Sequence, residues 1–228
     1  MKNIAFIFAR GGSKSVPRKN VKNFCGKPLI TYSIETALDT PEIDEVYVST
    51  DDREIKEISL SYGAKIIKRP KELATDHSPE WISWQHAIET VKEKGEIFNK
   101  FVSLPPTSPL RCVKDVSNCI YACDNLVNIS ISITQTSRSP WFNMVKKDDS
   151  DRIELINKND TVIHRRQDTP VAFDLTTVAY VAWPDFILQS SCIWDGIVKG
   201  VIIPQHRAID IDTATDFFIA ESLMKRNV

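Results

Sequence analysis

Short β-branched runs alternate with helix-length patterns through the first 134 residues, and that alternation constrains the fold more than any other feature of the chain. Ile4 to Phe8, Glu45 to Thr50, Lys65 to Lys68, Phe101 to Leu104 and Asn128 to Thr134 read as strands. Between them, Pro28 to Leu38 and Arg53 to Tyr62 read as helices. In the second, Ile55, Ile58 and Tyr62 share a face, Asp51-Asp52 precede it, and Gly63 can supply a left-handed C′ residue. Ser78-Pro79-Glu80 reads as an N-cap, a proline at N1 and an acidic first turn for a helix to about Lys94, which Gly95 terminates. Such βαβ units predict a mostly parallel α/β sheet. Each crossover must return its strand in the same direction, so the strand C-termini and their loops gather on one edge.

The pattern changes after Gln135. Trp141 to Val145 and Arg152 to Ile156 resemble a hairpin with the polar tip Lys146 to Asp151. The segment 136–171 is read as an excursion that makes a subunit contact or substrate wall, or that covers a sheet edge. Sheet patterning resumes at Ala172 to Trp183 and Ile197 to Ile203, and Thr213 to Met224 reads as a last helix. The 228 residues fit one domain over 1–228. A net charge of −1 argues against a general polyanion binder, so no nucleic-acid partner is expected. The five cysteines, Cys25, Cys112, Cys119, Cys123 and Cys192, are odd in number and lack Cys-x-x-Cys spacing, which disfavours a disulfide framework or zinc site. Cys119 and Cys123 read as small core residues. The first apolar run ends at Arg10, too short for a secretory or membrane segment, so a cytoplasmic enzyme without a membrane partner is expected.

The first strand runs directly into Ala9-Arg-Gly-Gly-Ser-Lys-Ser-Val-Pro-Arg-Lys-Asn20. Two glycines allow backbone N–H groups to approach an anion, and Arg10, Lys14, Arg18 and Lys19 supply the positive charge a triphosphate demands. The alternative is a basic surface turn, which the position between strand and helix disfavours. Neither a P-loop nor a Gly-x-Gly-x-x-Gly dinucleotide motif is present.

Ile209-Asp210-Ile211-Asp212-Thr213 places two carboxylates two residues apart before a helix. Extended backbone points both the same way, with the isoleucines towards the core, and paired carboxylates suit Mg2+. The competing reading makes Asp212 or Thr213 a helix cap. Leu104-Pro-Pro-Thr-Ser-Pro-Leu-Arg111 reads as a stiff turn after a strand, and Arg69 to Asp76 as another post-strand loop that can bring Arg69 and Asp76 to a ligand. His164 to Asp168 concentrates two guanidinium groups that match an acidic substrate, or else form a solvated charge run. His77, His86 and His206 read as surface or satisfied structural residues, and the tryptophans as packing.

The blocks ARGGSKSVPRKN, GKPLI, VSTDD, RPKELATD, LPPTSPLR, RRQDTP and AIDIDT occur in an order that resembles the acylneuraminate cytidylyltransferases across essentially the whole chain. The resemblance implies a Rossmann-like, three-layer nucleotidyltransferase fold, CTP, Mg2+, and a homodimer in which the protruding 136–171 segment helps close the partner's sugar site. It assigns nucleotide binding to Arg10, Gly11, Gly12, Ser13, Lys14, Lys19, Asn20, Arg69 and Asp76, with Arg10, Lys14 and Asp212 catalytic. It gives an acidic 2-keto sugar to Pro105, Thr107, Ser108, Arg166, Gln167 and Phe173, and the metal to Asp210 and Asp212.

Several positions depart from the family pattern. Ser15 stands where glycine is common, so the loop must avoid a glycine-only conformation there. Pro105 stands where glutamine is common in sialic acid enzymes, and Asp174 to Val178 replace an Arg-Pro-Asn-Gly-Ala strand start. Pro140-Trp-Phe-Asn-Met144 is similar to a block of CMP-legionaminate synthases. The sugar-facing changes imply a legionaminate-like acceptor rather than N-acetylneuraminate. The rival readings are a Kdo-type cytidylyltransferase and a catalytically silent nucleotide-binding regulator.

Overall fold

A computed structural model of the protein describes residues 2–158 and 162–226, so residues 159–161 of the 136–171 excursion lie outside the described residues. The N-terminal apolar run forms β1 (Asn3–Phe8), whose Ile4, Ala5, Phe6 and Ile7 are wholly buried. After it come the short β2 (Asn23–Phe24) and β3 (Lys27–Pro28), then α1 (Leu29–Asp39), β4 (Glu45–Thr50), α2 (Arg53–Ser61), β5 (Lys65–Lys68) and α3 (Glu80–Glu93). The chain continues through β6 (Lys100–Ser103), α4 (Val113–Ala122), β7 (Ile129–Gln135), β8 (Val145–Lys147), β9 (Ile153–Leu155), β10 (Phe173–Ala182), α5 (Pro184–Gln189), β11 (Val198–Ile202) and α6 (Ala214–Arg226). The main sheet has the order β11-β7-β10-β6-β1-β4-β5. All its neighbours are parallel except β10, which runs antiparallel to both β6 and β7.

A central parallel strand buries both faces, and β1 shows how. Ala5 and Ile7 join a core with Ile30 and Ile34 of α1, Ile55 of α2 and Val116 of α4. Ile4 and Phe6 face the other side with Trp81 and Trp84 of α3 and Ile187 of α5. The period of two thus builds the expected three α/β/α layers. Phe6 stacks on Phe101 with centroids 4.8 Å apart, and truncating such a ring to alanine costs roughly 3–5 kcal/mol. Both tryptophans of α3 are core residues, as are Cys119 and Cys123. Among the described residues, no helix is long and apolar enough to cross a membrane.

Three local expectations are corrected. Ser78 does not cap α3: Pro79 occupies the cap position with ψ 134°, the helix begins at Glu80, and the Ser78 hydroxyl is buried without a partner. A proline at the cap leaves Ser78 one residue too early to reach the first free N–H groups. The hairpin is shorter than read, because the Phe142, Asn143 and Met144 amides all converge on the Ser139 carbonyl and make a turn. Its strands are β8 and β9, which form their own two-stranded sheet, so Lys146 and Lys147 belong to a strand and not to the tip. His86 is not satisfied, since its Nδ1 is buried without a partner.

Strand β10 carries a bulge that positions the site. Leu175 pairs with Ile133 and Tyr180 with Ile131, so residues 176–179 stand opposite Ser132 alone. The Ser132 hydroxyl fills the gap in the ladder. It accepts from the Ala179 N–H at 3.0 Å, lies 2.7 Å from the Thr176 hydroxyl and 3.0 Å from the Thr176 carbonyl. The bulge thereby keeps its buried polar groups paired while turning Thr177 out of the sheet.

Candidate active site

The strand order reverses at β1: β4 and β5 lie on one side of it and β6 on the other. Crevices in open α/β sheets form at such a point, outside the strand C-termini. A cleft of about 470 Å³ lies there. Its walls come from the loops after β1, β5 and β6, the start of α3, and Asp212.

The loop after β1 is held by its own sequence. Val16, 1 % exposed, packs with Phe24, Leu29, Ile211 and Phe217, and the Asn20 amide donates to the Arg10 carbonyl at 3.0 Å. Ser15 adopts no positive φ, as its identity requires. Arg10 pairs with Asp76 at 2.6 Å and Lys14 pairs with the other oxygen of the same carboxylate. The two cations hold Asp76 below the ordinary carboxylate range, Lys14 contributing most. Lys19 is buried, donates to the Ile211 carbonyl at 2.5 Å and stands 3.8 Å from Asp212.

Two sequence readings of this loop change. Arg18 adopts a left-handed φ of 56° and pairs with Asp52 and Glu54, so it is not one of the cleft's cations. The Gly11 N–H is taken by Asp51 at 3.1 Å, and a Cβ on Gly11 would lie 2.6 Å from Asp52 Oδ2. Glycine there admits the approach of α2's N-terminus. A Cβ on Gly12 would meet nothing within 4 Å.

Arg69 forms part of the floor. It is 7 % exposed, its Nε donates to the Ser49 hydroxyl at 3.2 Å, its guanidinium lies over Phe8, and one NH2 is buried without a partner. Burial pulls its pKa down to about 10. An unpaired buried donor in a cleft wall is a ready partner for a ligand acceptor. Glu80, which sequence reasoning treated only as a helix-start acid, also lines the cleft. Burial pushes its carboxyl up, against the opposing pull of the Trp84 indole N–H and of Arg69.

The two carboxylates before α6 divide their roles. Thr213 and Asp216 cap the helix reciprocally: the Thr213 N–H donates to Asp216 at 2.7 Å and the Asp216 N–H to the Thr213 hydroxyl at 3.2 Å. Asp212 is therefore not the cap. Its side chain is 76 % exposed on the cleft wall. Asp210 is not part of that wall. Its Oδ1 is buried without a partner, and burial, with Asp212 adding to it, pushes its pKa up, while the Thr107 and Thr177 hydroxyls oppose the rise. An orphaned carboxylate oxygen beside a second carboxylate fits a hard divalent cation. Among the described residues no group of three or more His, Cys, Asp or Glu side chains could hold a metal, so further ligands would have to be water or substrate oxygens.

Arg10, Ser13, Lys14, Lys19, Asn20, Arg69, Asp76, Pro105, Thr107 and Asp212 thus share one cleft. Ser108 is fully buried and bonds to the Thr177 hydroxyl at 2.6 Å. Arg166 and Gln167 line a second cavity of about 460 Å³ together with Gln135, Arg138 and Ser139, and Arg166 also donates to the Ser137 carbonyl. Phe173, 42 % exposed, lines neither. Thr177 went unread because only the bulge in β10 brings it to Ser108 and Asp210; the unusual Asp174 to Val178 run was its one trace in the sequence.

The family model described as Cytidylyltransferase matches residues 4–171. The chain is 33 % identical to a pseudaminic acid cytidylyltransferase of Campylobacter jejuni subsp. jejuni, over 100 % of this chain and 98 % of that one. It is 28 % identical to a CMP-N,N'-diacetyllegionaminic acid synthase of Legionella pneumophila, with the same coverage. The structure of a CMP:2-keto-3-deoxy-manno-octonic acid synthetase complexed with CTP superposes with a TM-score of 0.73, covering 100 % of both chains at 18 % identity, so the two share a fold.

Proposed function

The chain belongs to the cytidylyltransferase family, whose reaction moves CMP from CTP to a sugar acceptor, and we propose that its acceptor is a nine-carbon 2-keto acid sugar of the legionaminate type. The observation that carries the reading is the convergence of Arg10, Lys14, Lys19 and Asp212 on one cleft at the sheet's switch point. A nucleoside triphosphate brings a charge that needs cations and a metal that needs carboxylates; the cleft holds the cations and Asp212, and Asp210 stands two residues before it. Arg10 and Lys14 exchange Asp76 for the triphosphate. The acceptor's anomeric hydroxyl attacks the α-phosphorus, the new oxygen–phosphorus bond forms as the bond to the β-phosphate breaks, pyrophosphate leaves and the hydroxyl gives up its proton. Positive groups fixed before the reaction stabilise the charge that grows on the phosphates. Asp210 and Asp212 would hold Mg2+, which when bound supplies Lewis-acid stabilisation to phosphate oxygens.

Arg166, in the second cavity, matches the sugar carboxylate, as a guanidinium does. Trp141 and Phe142 in the same excursion, outside the lining of that cavity, offer apolar area to a deoxy, doubly acylated sugar, against which a polyhydroxylated tail would leave most of its hydroxyls without partners. Apolar side chains such as Val145 (50 % exposed) and Ile153 (68 %) support a homodimer in which this excursion is covered. The test is pyrophosphate release with CTP, UTP, ATP and GTP, followed by competition of legionaminate, pseudaminate and N-acetylneuraminate at limiting CTP. The pseudaminic acid relative puts that sugar in the panel. CTP and a doubly acylated sugar are expected to win; a product ratio favouring N-acetylneuraminate removes the sugar assignment and leaves cytidylyl transfer standing.

A further inference from the structure

Arg111 is 5 % exposed, and its guanidinium joins three pieces of chain that are distant in sequence. One nitrogen donates to the Ser33 hydroxyl of α1 at 2.9 Å. Another donates to the Pro105 carbonyl and, at 3.1 Å, to the Thr177 carbonyl in the β10 bulge. The Ser33 hydroxyl in turn donates to Pro105 at 3.2 Å, so the loop after β6 is gripped twice. No carboxylate pairs directly with Arg111 among the described residues. Burying a cation on neutral acceptors alone is costly, and burial pulls its pKa down to about 9. The return on that cost is geometric.

Both gripped carbonyls belong to segments that border Asp210, whose carboxyl the Thr107 and Thr177 hydroxyls pull down against the effect of burial. Thr107 lies two residues beyond Pro105, and its carbonyl accepts the Ile211 N–H at 2.9 Å, which ties the loop to the Asp210–Asp212 segment. Thr177 carries its own hydroxyl, held 2.6 Å from Ser108. We infer that Arg111 is a positioning residue: by fixing Pro105 and Thr177 on one planar group it places the Thr107 and Thr177 hydroxyls against Asp210, and so sets the carboxylate that a divalent cation meets. Only a guanidinium offers several donors in fixed directions to separate acceptors; a lysine ammonium is a single point charge on a flexible stem. Partners one shell behind a metal ligand commonly change metal affinity by about 10–100-fold when removed. The inference rests on the metal reading above and goes beyond it in naming what orients the ligand.

The deciding experiment is Mn2+ titration of the CTP-bound protein by electron paramagnetic resonance, with kcat, the KM for CTP at saturating metal, and the melting temperature measured on the same samples. Thr177→Val removes one hydroxyl at nearly constant volume. It is expected to weaken Mn2+ binding and lower kcat about tenfold while KM for CTP stays close to that of the parent, with a lower but still cooperative melt because the buried Ser108 hydroxyl loses its partner. Thr177→Ser restores both, and Arg111→Lys reproduces the Mn2+ defect even if it melts lower. Should Arg111→Lys not fold, the Thr177→Val and Thr177→Ser pair decides alone. Wild-type Mn2+ affinity and kcat in a folded Thr177→Val protein overturn the inference. A parent protein that binds CTP but no Mn2+ overturns the metal reading beneath it.

Discussion

The cleft at the end of β1 and the excursion of residues 136–171 are built in opposite ways. The cleft's groups stand on buried supports: Val16 plugs the cationic loop into a core, Arg69 and Arg111 are nearly inaccessible, and the bidentate Arg207–Asp115 pair, with bonds of 2.8 and 2.9 Å, anchors the segment that leads to Asp210. The excursion is held by exposed pairs such as Lys146–Glu154 and Arg165–Asp168, and leaves apolar side chains in solvent. A site that must hold one triphosphate geometry gains from rigid supports, while a surface completed by a sugar and, as proposed, by a second subunit need not be finished within one chain. From this contrast we propose that the reaction chemistry belongs to the cleft and acceptor choice to the excursion.

The largest expected effect is on the carboxylates proposed to hold the metal. Asp212→Asn should lower pyrophosphate release by roughly 100-fold or more, the scale on which preorganised electrostatic groups act. Thermal unfolding should stay cooperative, because Thr213 and Asp216 make the α6 cap without it. Near-normal turnover at saturating Mg2+ would remove Asp212 from the chemistry.

Next comes the anchor. Burial pushes Asp115 up, but the Arg207 fork and the Cys112 groups outweigh it and leave the carboxyl below its ordinary value. A depressed carboxyl contributes stability above its unfolded pKa and loses it as pH falls through its folded pKa. Asp115→Asn should therefore cost roughly 1–3 kcal/mol at neutral pH and flatten the acid limb of the melting curve. Glu154→Gln in the excursion should change neither measurably, as exposed pairs are worth little. Equal effects from the two would erase the contrast between the regions.

The smallest effect concerns the carboxylate shared by Arg10 and Lys14. If Asp76 competes with the triphosphate for those cations, Asp76→Asn should lower the KM for CTP a few-fold at low salt, and the gain should fade by 0.5 M salt, on the order expected for screened surface charges. A raised KM would make Asp76 a ligand contact instead.

The helices and strands of the sheet were legible because their signals are local: β1 is an apolar run, α2 carries Asp52 at its cap and Gly63 at its end, and both were found where the pattern put them. What escaped was set by distant contacts. Charge type marked Arg18 as a phosphate cation, but its left-handed backbone and the Asp52–Glu54 pair turn it away. Gly11 was rightly singled out as needing to be glycine, for a neighbour that only the packing of α2 supplies. Glu80 and Thr177 carry no motif at all: Glu80 joins the cleft wall where the first turn of α3 meets Arg69, and Thr177 reaches Ser108 because three extra residues loop out of β10.

The division of labour is tested most directly by two-substrate kinetics on Lys14→Ala and Arg166→Ala, with pyrophosphate release measured over a grid of CTP and acceptor-sugar concentrations. Losing a charge-assisted bond to an anion costs about 1.5–3 kcal/mol, so each effect should be roughly tenfold or larger. The account predicts that Lys14→Ala raises the CTP requirement and leaves the sugar requirement close to the parent's, while Arg166→Ala does the reverse. An Arg166→Ala enzyme altered only in its use of CTP would contradict it.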